Sequence, residues 1–382
     1  MAGNAQRKVF GRGISRLVLA LMLAASWLVM YGCAAAPVKE ELPELYWPFP
    51  PERPRIKFLD IVIGSLDATG ERADKFKAAV FGVEGESRFG KPEYVFAKDR
   101  TVYVTDLGRV HILDFGKKQY STIGSGNLTS STGIAVNSEG SIFVGDSGRK
   151  RVLVFTPGTA EPAVFGNPED FGRPSGIAVD NKEKHVLIAD TVKHAVFVYD
   201  YAGTRLFTIG GRGREPGKFN FPYDLTVGKD GRIYVLDSGN FRVQMFDSTG
   251  KFLRAFGGVG SEPGTFARPK GIALDSEGHI YVVDAAFANF QIFDEFGQVL
   301  LSVGSNGTEP GMFILPFGIA IDDTDKIYVV DQINKRMQVF QYIKYDDEKQ
   351  PSDQQPAVQP PATQQPAVQQ PTDGQDQENE NP

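Results

Sequence analysis

The chain of 382 residues holds a single cysteine, Cys33. That excludes an intrachain disulfide, a cysteine-built zinc site and an iron–sulfur cluster. No Cys-x-x-Cys-His run occurs, so no c-type haem is attached. Histidine is scarce, with four residues, and tryptophan scarcer, with two. A formal net charge of −6 sets the chain apart from general nucleic-acid binders, which need a basic surface to displace counterions. The longest apolar run, residues 17–31, falls short of the roughly 20 residues of a spanning helix. What is plentiful is glycine (42), proline (24), phenylalanine (28) and tyrosine (13), a mixture that favours strands and turns.

The start of the chain reads as an address. Arg7, Lys8, Arg12 and Arg16 precede the apolar run, no acid interrupts them, and Gly32-Cys33 follows. A basic start, a short apolar core and a small residue make an export signal over residues 1–32. The stretch from Leu28 to Cys33 resembles a lipobox, which implies that Cys33 is the acylated first residue of the mature protein. Acyl chains would then hold it on a membrane. Ala34 follows, and lipoproteins without Asp there usually go to the outer membrane. Residues 33–54, with Pro43, Pro48, Pro50, Pro51 and Pro54, read as an extended tether carrying Tyr46, Trp47 and Phe49. Residues 346–382 are low in complexity and lack aromatics, which predicts a disordered Pro/Gln-rich tail.

Between these ends one unit recurs six times. Copies begin near Pro92, Ser131, Pro174, Pro222, Pro269 and Pro316. Each contains an Asp closing its second apolar run: Asp106, Asp146, Asp190, Asp237, Asp284 and Asp331. A period of forty-odd residues with four short strands per unit predicts an all-β, six-bladed β-propeller over residues 55–345. In the fifth unit the strands are expected at 271–275, 280–284, 290–294 and 299–303. The sixth unit lacks a fourth strand after Tyr342, whereas an orphan apolar run at 56–63 precedes the first unit. That run ends Ile63-Gly64-Ser65, as other fourth strands end, so it is expected to complete the last blade and hide two open edges. The insertion at about 66–90 contains 71–81, where Ala73, Phe76, Ala79 and Val80 have helical spacing. The recurring Asp is expected to cap turn amides rather than to take part in chemistry.

The unit Pro-x-Gly-Ile-Ala, then Ile-Tyr-Val-x-Asp, resembles the NHL repeat. The stretch from Asp237 through Arg242 to Gln244 is its closest copy, and Asn334 to Gln338 is a second. The first two units are degraded, with Tyr94 and Thr132 where other copies are more regular. With the lipobox and the segment around Trp47, the whole chain resembles bacterial NHL-repeat lipoproteins. That resemblance implies an envelope protein of the binding or scaffold type, since most NHL propellers bind proteins or other ligands and a few are enzymes. Fold alone does not choose. It also implies where a ligand would lie. The loops before the innermost strands and the second-to-third-strand turns share one rim.

On that rim one residue per unit sits just before the first strand: Glu93, Thr132, Ser175, Tyr223, Lys270 and Phe317. The set is mixed in charge and shape, as a specific surface is. Nearby turns add Arg151, Arg242, Phe287 and Arg336, residue types common as interface anchors. These ten are the candidate partner-binding residues. Bases slightly outnumber acids on this rim and acids outnumber bases on the other, which favours an acidic partner, another envelope protein. The alternative is a metal-dependent propeller enzyme of the lyase or lactonase type. Such a site needs ligands on the first strands, and His111, His185, His194 and His279 all lie elsewhere. Asp224 is the one acid just inside a first strand, with Glu93 close by. The run Asp322-Asp323-Thr324-Asp325 lacks the glycine and distal glutamate of a calcium loop. No catalytic residue, metal or cofactor is expected, and no nucleic acid.

Overall fold

The computed structural model describes residues 42–70 and 87–345. The export signal, Cys33, the 71–81 helix and the 346–382 tail lie outside the described residues, as does the tether before residue 42.

Six antiparallel sheets form the blades of a β-propeller. Their inner strands, called a, are Pro92–Lys98, Ser131–Val136, Pro174–Asp180, Pro222–Val227, Pro269–Leu274 and Pro316–Ile321. Strands b, c and d follow outward in chain order. In blade 5 these are Ile280–Asp284, Asn289–Phe293 and Val299–Val303, within a residue or two of expectation. Burial grades from inside to outside: b strands such as Ile280–Asp284 are wholly buried, while the outermost strands are half exposed. An inner strand between two neighbouring blades has no wet face, and its apolar run reflects that.

The core lies between blades rather than at one centre. Tyr281 and Phe290 of blade 5 pack with Ile327, Val329 and Phe340 of blade 6 in one apolar cluster. Each fully buried side chain of this size contributes about 1.5–3 kcal/mol. The loops from strand d to the next strand a carry a further repeat, Glu-Pro-Gly-x-Phe. It buries Phe219, Phe266 and Phe313 completely.

The inner strands approach so closely that most blades need glycine at the third residue. A Cβ on Gly133 would lie 2.1 Å from the Ser175 carbonyl oxygen of the next blade. One on Gly318 would lie 2.7 Å from the Glu93 carbonyl oxygen, across the junction where blade 6 meets blade 1. Blades 1 and 4 depart from this rule, with Tyr94 and Asp224.

The ring closes through the N-terminal strand. Ile56–Val62 pairs antiparallel with Arg336–Tyr342, from Ile56 opposite Tyr342 to Val62 opposite Met337. Phe58 is buried with its ring 5.6 Å from that of Phe340. The aromatic part of the expected tether belongs to the propeller. Tyr46–Trp47 adds a fifth strand outside Ile56–Val62, and Trp47 packs 5.8 Å from Phe340. The physical reason is the partly open backbone edge of the last blade, which Tyr46–Trp47 pairs. Past the closing strand, a five-residue helix, Ser65–Thr69, opens the insertion.

Candidate functional site

The six candidate residues of the ring are not turn residues before strand a. Each is the second residue of its strand and sits where the a–b register slips, between Pro92 and Val95, Ser131 and Ile134, and so on round the ring. A bulge re-aims the side chain it contains. The consequence is burial: Thr132, Ser175 and Phe317 are buried, and Glu93, Tyr223 and Lys270 are half-buried. Two of the six are links between blades. The Thr132 hydroxyl donates to the Pro174 carbonyl (3.0 Å), and the Ser175 hydroxyl reaches the Ala189 and Pro222 carbonyls (3.2 and 3.3 Å). Thr132 and Ser175 are thus buried links between blades.

The other four surround the mouth of the axial channel. Tyr94 of blade 1 donates its hydroxyl to the Tyr223 carbonyl of blade 4 (3.3 Å). These blades are opposite in a ring of six, so the phenol spans the axis. Its ring stacks on Tyr223 at 6.2 Å and meets Phe317 edge-on at 5.8 Å. The Lys270 ammonium lies over both aromatic faces, 3.9 Å from the Tyr223 centroid and 5.0 Å from that of Phe317. Such contacts contribute about 0.5–2 kcal/mol. Burial, then the cations of Arg268 and Arg173, pushes the Lys270 ammonium down to about 8. Burial pushes Tyr223 up to about 12, helped by Glu93. Glu93 pairs with Lys91 at 2.8 Å. Arg173 and Arg268, each just before a strand-opening proline, are exposed, and among the described residues no carboxylate pairs with them or with Lys270. These two arginines were not among the sequence candidates, and nothing in the repeat motif singles them out.

Beneath Tyr94 the channel continues as a cavity of about 180 Å³. Its walls are aliphatic apart from Phe96, and its polar side chains are Tyr94, Asp224 and Thr226. Asp224 is 7% exposed and accepts from the Ile272 amide of the next blade at 3.1 Å. Burial pushes its carboxyl up to about 7, against the opposing effect of the Ile272 and Leu225 amides. Glu93 does not join it, being held by Lys91 at the mouth.

The arginines of the b–c turns are committed elsewhere. Arg242 bonds Asp237 (2.9 Å) and donates to the Glu215 and Lys218 carbonyls. Arg336 does the same with Asp331 and the Thr308, Glu309 and Met312 carbonyls. Arg151 bonds Asp146 and the Asn127 carbonyl. These guanidiniums fasten the d–a loop to the turn beside it, a structural role that the sequence reading did not include. Phe287 is half-buried in its turn.

The six recurring aspartates are fully buried. Their most regular partners are amides just before strand a of the same blade. Asp190 accepts from Gly172 and Arg173 (both 2.8 Å), and Asp106 from Gly90 and Lys91. Turn amides are bound as well in two blades, by Asp190 and Asp284. The cap therefore fixes the entry to the inner strand, and with it the mouth.

The histidines are scattered. His111 bonds Asp106 and Tyr120, His279 bonds Asp275, and His194 accepts from the Phe221 amide. Among the described residues no group of three or more His, Cys, Asp or Glu side chains is placed to hold a metal. In the 322–325 run, Asp322 accepts from Thr324 and Lys326 as in an ordinary turn.

A family model described as a 6-bladed beta-propeller matches residues 228–290, and the NHL repeat model matches residues 132–155 and 171–199. No curated protein matches the sequence. Among solved structures, an auxiliary nutrient binding protein from Bacteroides ovatus superposes with a TM-score of 0.54 at 15% identity, over 67% of this chain and 70% of that one. Another from Bacteroides thetaiotaomicron gives 0.53 at 17% identity, over 66% and 69%. Virginiamycin B lyase from Staphylococcus aureus gives 0.51 at 14% identity, over 67% and 82%. At such identities the likeness concerns the fold, which binding proteins and enzymes share. Six closed blades with NHL repeat matches in the second and third make the chain a six-bladed β-propeller that carries NHL repeats.

Proposed function

We propose that this protein is a non-enzymatic binding module, held at the cell envelope by a lipid on Cys33, that recognises an acidic segment of another envelope protein at the channel mouth. The carrying observation is Lys270 over the Tyr223 face with Arg268 and Arg173 near enough to bear on its ammonium, three cations without a carboxylate partner among the described residues. Exposed Phe221, Leu107, Val192 and Ile333 stand on the same rim and offer apolar contact around the charge. Such a surface suits a partner with carboxylates at its centre and apolar residues beside them. The nutrient binding proteins of the same fold are compatible with this reading, and the lyase leaves the enzyme reading as its competitor.

The test is crosslinking in the native envelope followed by mass spectrometry. The double charge reversal Arg173→Glu, Arg268→Glu should lose the captured partner, while Lys182→Glu, Lys229→Glu on the opposite face should keep it. Equal capture by both pairs sinks the mouth as the site. The anchor is tested separately: Cys33→Ser should move the protein out of the membrane fraction, and unchanged fractionation with normal processing would rule out lipidation there.

A further inference from the structure

The axial cavity has features that mouth recognition does not use. Asp224 replaces the glycine that four other blades carry at the same place. It is nine-tenths buried, and among the described residues no cation faces it. Among the described residues its charge-compensating partners are the backbone amides of Ile272 and Leu225, which leaves acceptor capacity on a carboxyl. Thr226, two residues on in the same strand, lines the cavity with it. The remaining lining is apolar, from Val95 and Ile134 down to Val227 and Ile321.

The cavity has one blind end. Tyr94 crosses the axis above Asp224 and is buried. Exposure rises away from it: Val179, Thr226, Val227, Leu274 and Ile321 are half-buried, while Tyr94 and Asp224 are buried. Entry is therefore from the a–b turn face, opposite the basic mouth, where acids outnumber bases in the sequence. An apolar cavity of about 150 Å³ holds a benzene-sized molecule. At about 180 Å³ this one has room for a ring and a short polar substituent.

We infer that the axial cavity is a second binding site, for a small ligand with an apolar body and a primary ammonium, the ammonium held by Asp224 near the blind end, with Thr226 on the wall below it. A buried carboxylate without a counter-ion is costly, and a ligand cation would relieve that cost.

The probe is benzylammonium, titrated calorimetrically into the purified protein at about pH 8, where the carboxyl is mostly ionised. Toluene and benzoate are the comparisons. Asp224→Asn keeps an acceptor for the Ile272 amide, removes the charge and puts an amide NH₂ donor in place of the other oxygen. Ala320→Leu fills the cavity and keeps the charge. Thermal melting checks that both variants fold. One-to-one binding of benzylammonium is expected, weakened about tenfold or more in each variant. The Arg173→Glu, Arg268→Glu pair should bind it as the parent does, which separates this site from the mouth. Undiminished binding to Asp224→Asn, binding no tighter than that of toluene, or no binding to the parent protein would each overturn the inference.

Discussion

At the scale of single residues, the two departures from glycine matter most. Asp224 has its carboxyl raised by burial from 3.8 to about 7. In that interval the folded chain keeps a proton that the unfolded chain has released. The stability this confers is present in full below about pH 4 and is lost as pH rises through about 7. The loss is on the order of 4 kcal/mol. Asp224→Asn has no proton to lose. Its melting temperature should match the parent at about pH 4 and exceed it at about pH 8. Parallel melting curves over that range would mean that the carboxyl is not desolvated as the structure places it. Comparing the two proteins cancels the opposite slope from carboxyls such as Asp106, which its His111 and backbone bonds hold low despite burial. Tyr94 carries a different load. It packs on both Tyr223 and Phe317, so alanine at Tyr223, Lys270 and Phe317 together is expected to lower the melting temperature. The exposed Arg173 and Arg268 are the cleaner positions from which to probe the mouth.

Among elements, the closing strand bears the largest consequence. Ile56–Val62 pairs along Arg336–Tyr342, the c strand of the last blade, and buries Ile56, Phe58 and Val62. A chain beginning at Phe89 leaves that c strand with an open edge and uncovers Phe340. It should aggregate or melt far below a chain beginning at Leu42, which keeps both Tyr46–Trp47 and Ile56–Val62. If the two melt alike, closure does not depend on this strand. That pairing was legible in the sequence because the sixth unit lacked a fourth strand and the orphan run ended as the others do. The strands of each blade were legible for the same reason: repetition exposes periodicity that a single copy hides. The register slip at the start of each inner strand was not legible. A bulge leaves no mark in the residue pattern, so Thr132 and Ser175 read as surface residues although their hydroxyls tie blades together. The bonds of the b–c turn arginines were not legible for a related reason. Their partners are carbonyls of loops about 25 residues earlier, such as Lys218 for Arg242, and backbone atoms have no sequence signature. Nothing in the motif singles out Arg173 and Arg268, which differ from the turn arginines by being exposed.

At the scale of the whole propeller, the two ends of the axis differ in chemistry. The upper end presents cations over an aromatic floor, and the lower end leads into an apolar cavity with one buried acid. Tyr94 separates them. Binding at the upper end should therefore follow the charge of Lys270, whose ammonium is held down to about 8 by burial and by Arg268 and Arg173. An acidic partner opposes that shift, because its carboxylates favour the charged form. Affinity for the captured partner, or for an oligoglutamate probe, should be full near neutral pH. It should then fall as pH rises past about 8 and the free protein loses the proton on Lys270. Lys270→Met removes the titrating group, and its binding should be weaker at neutral pH and flat across the same range. Salt should weaken both proteins, because Arg173 and Arg268 are exposed and screening acts on them directly. The slope against salt should be shallower for the Arg173→Glu, Arg268→Glu pair, if any binding remains. A pH profile that is the same with and without Lys270 would place the recognition of acidic groups away from the mouth. The Lys182→Glu, Lys229→Glu pair at the opposite end is expected to leave both dependences intact.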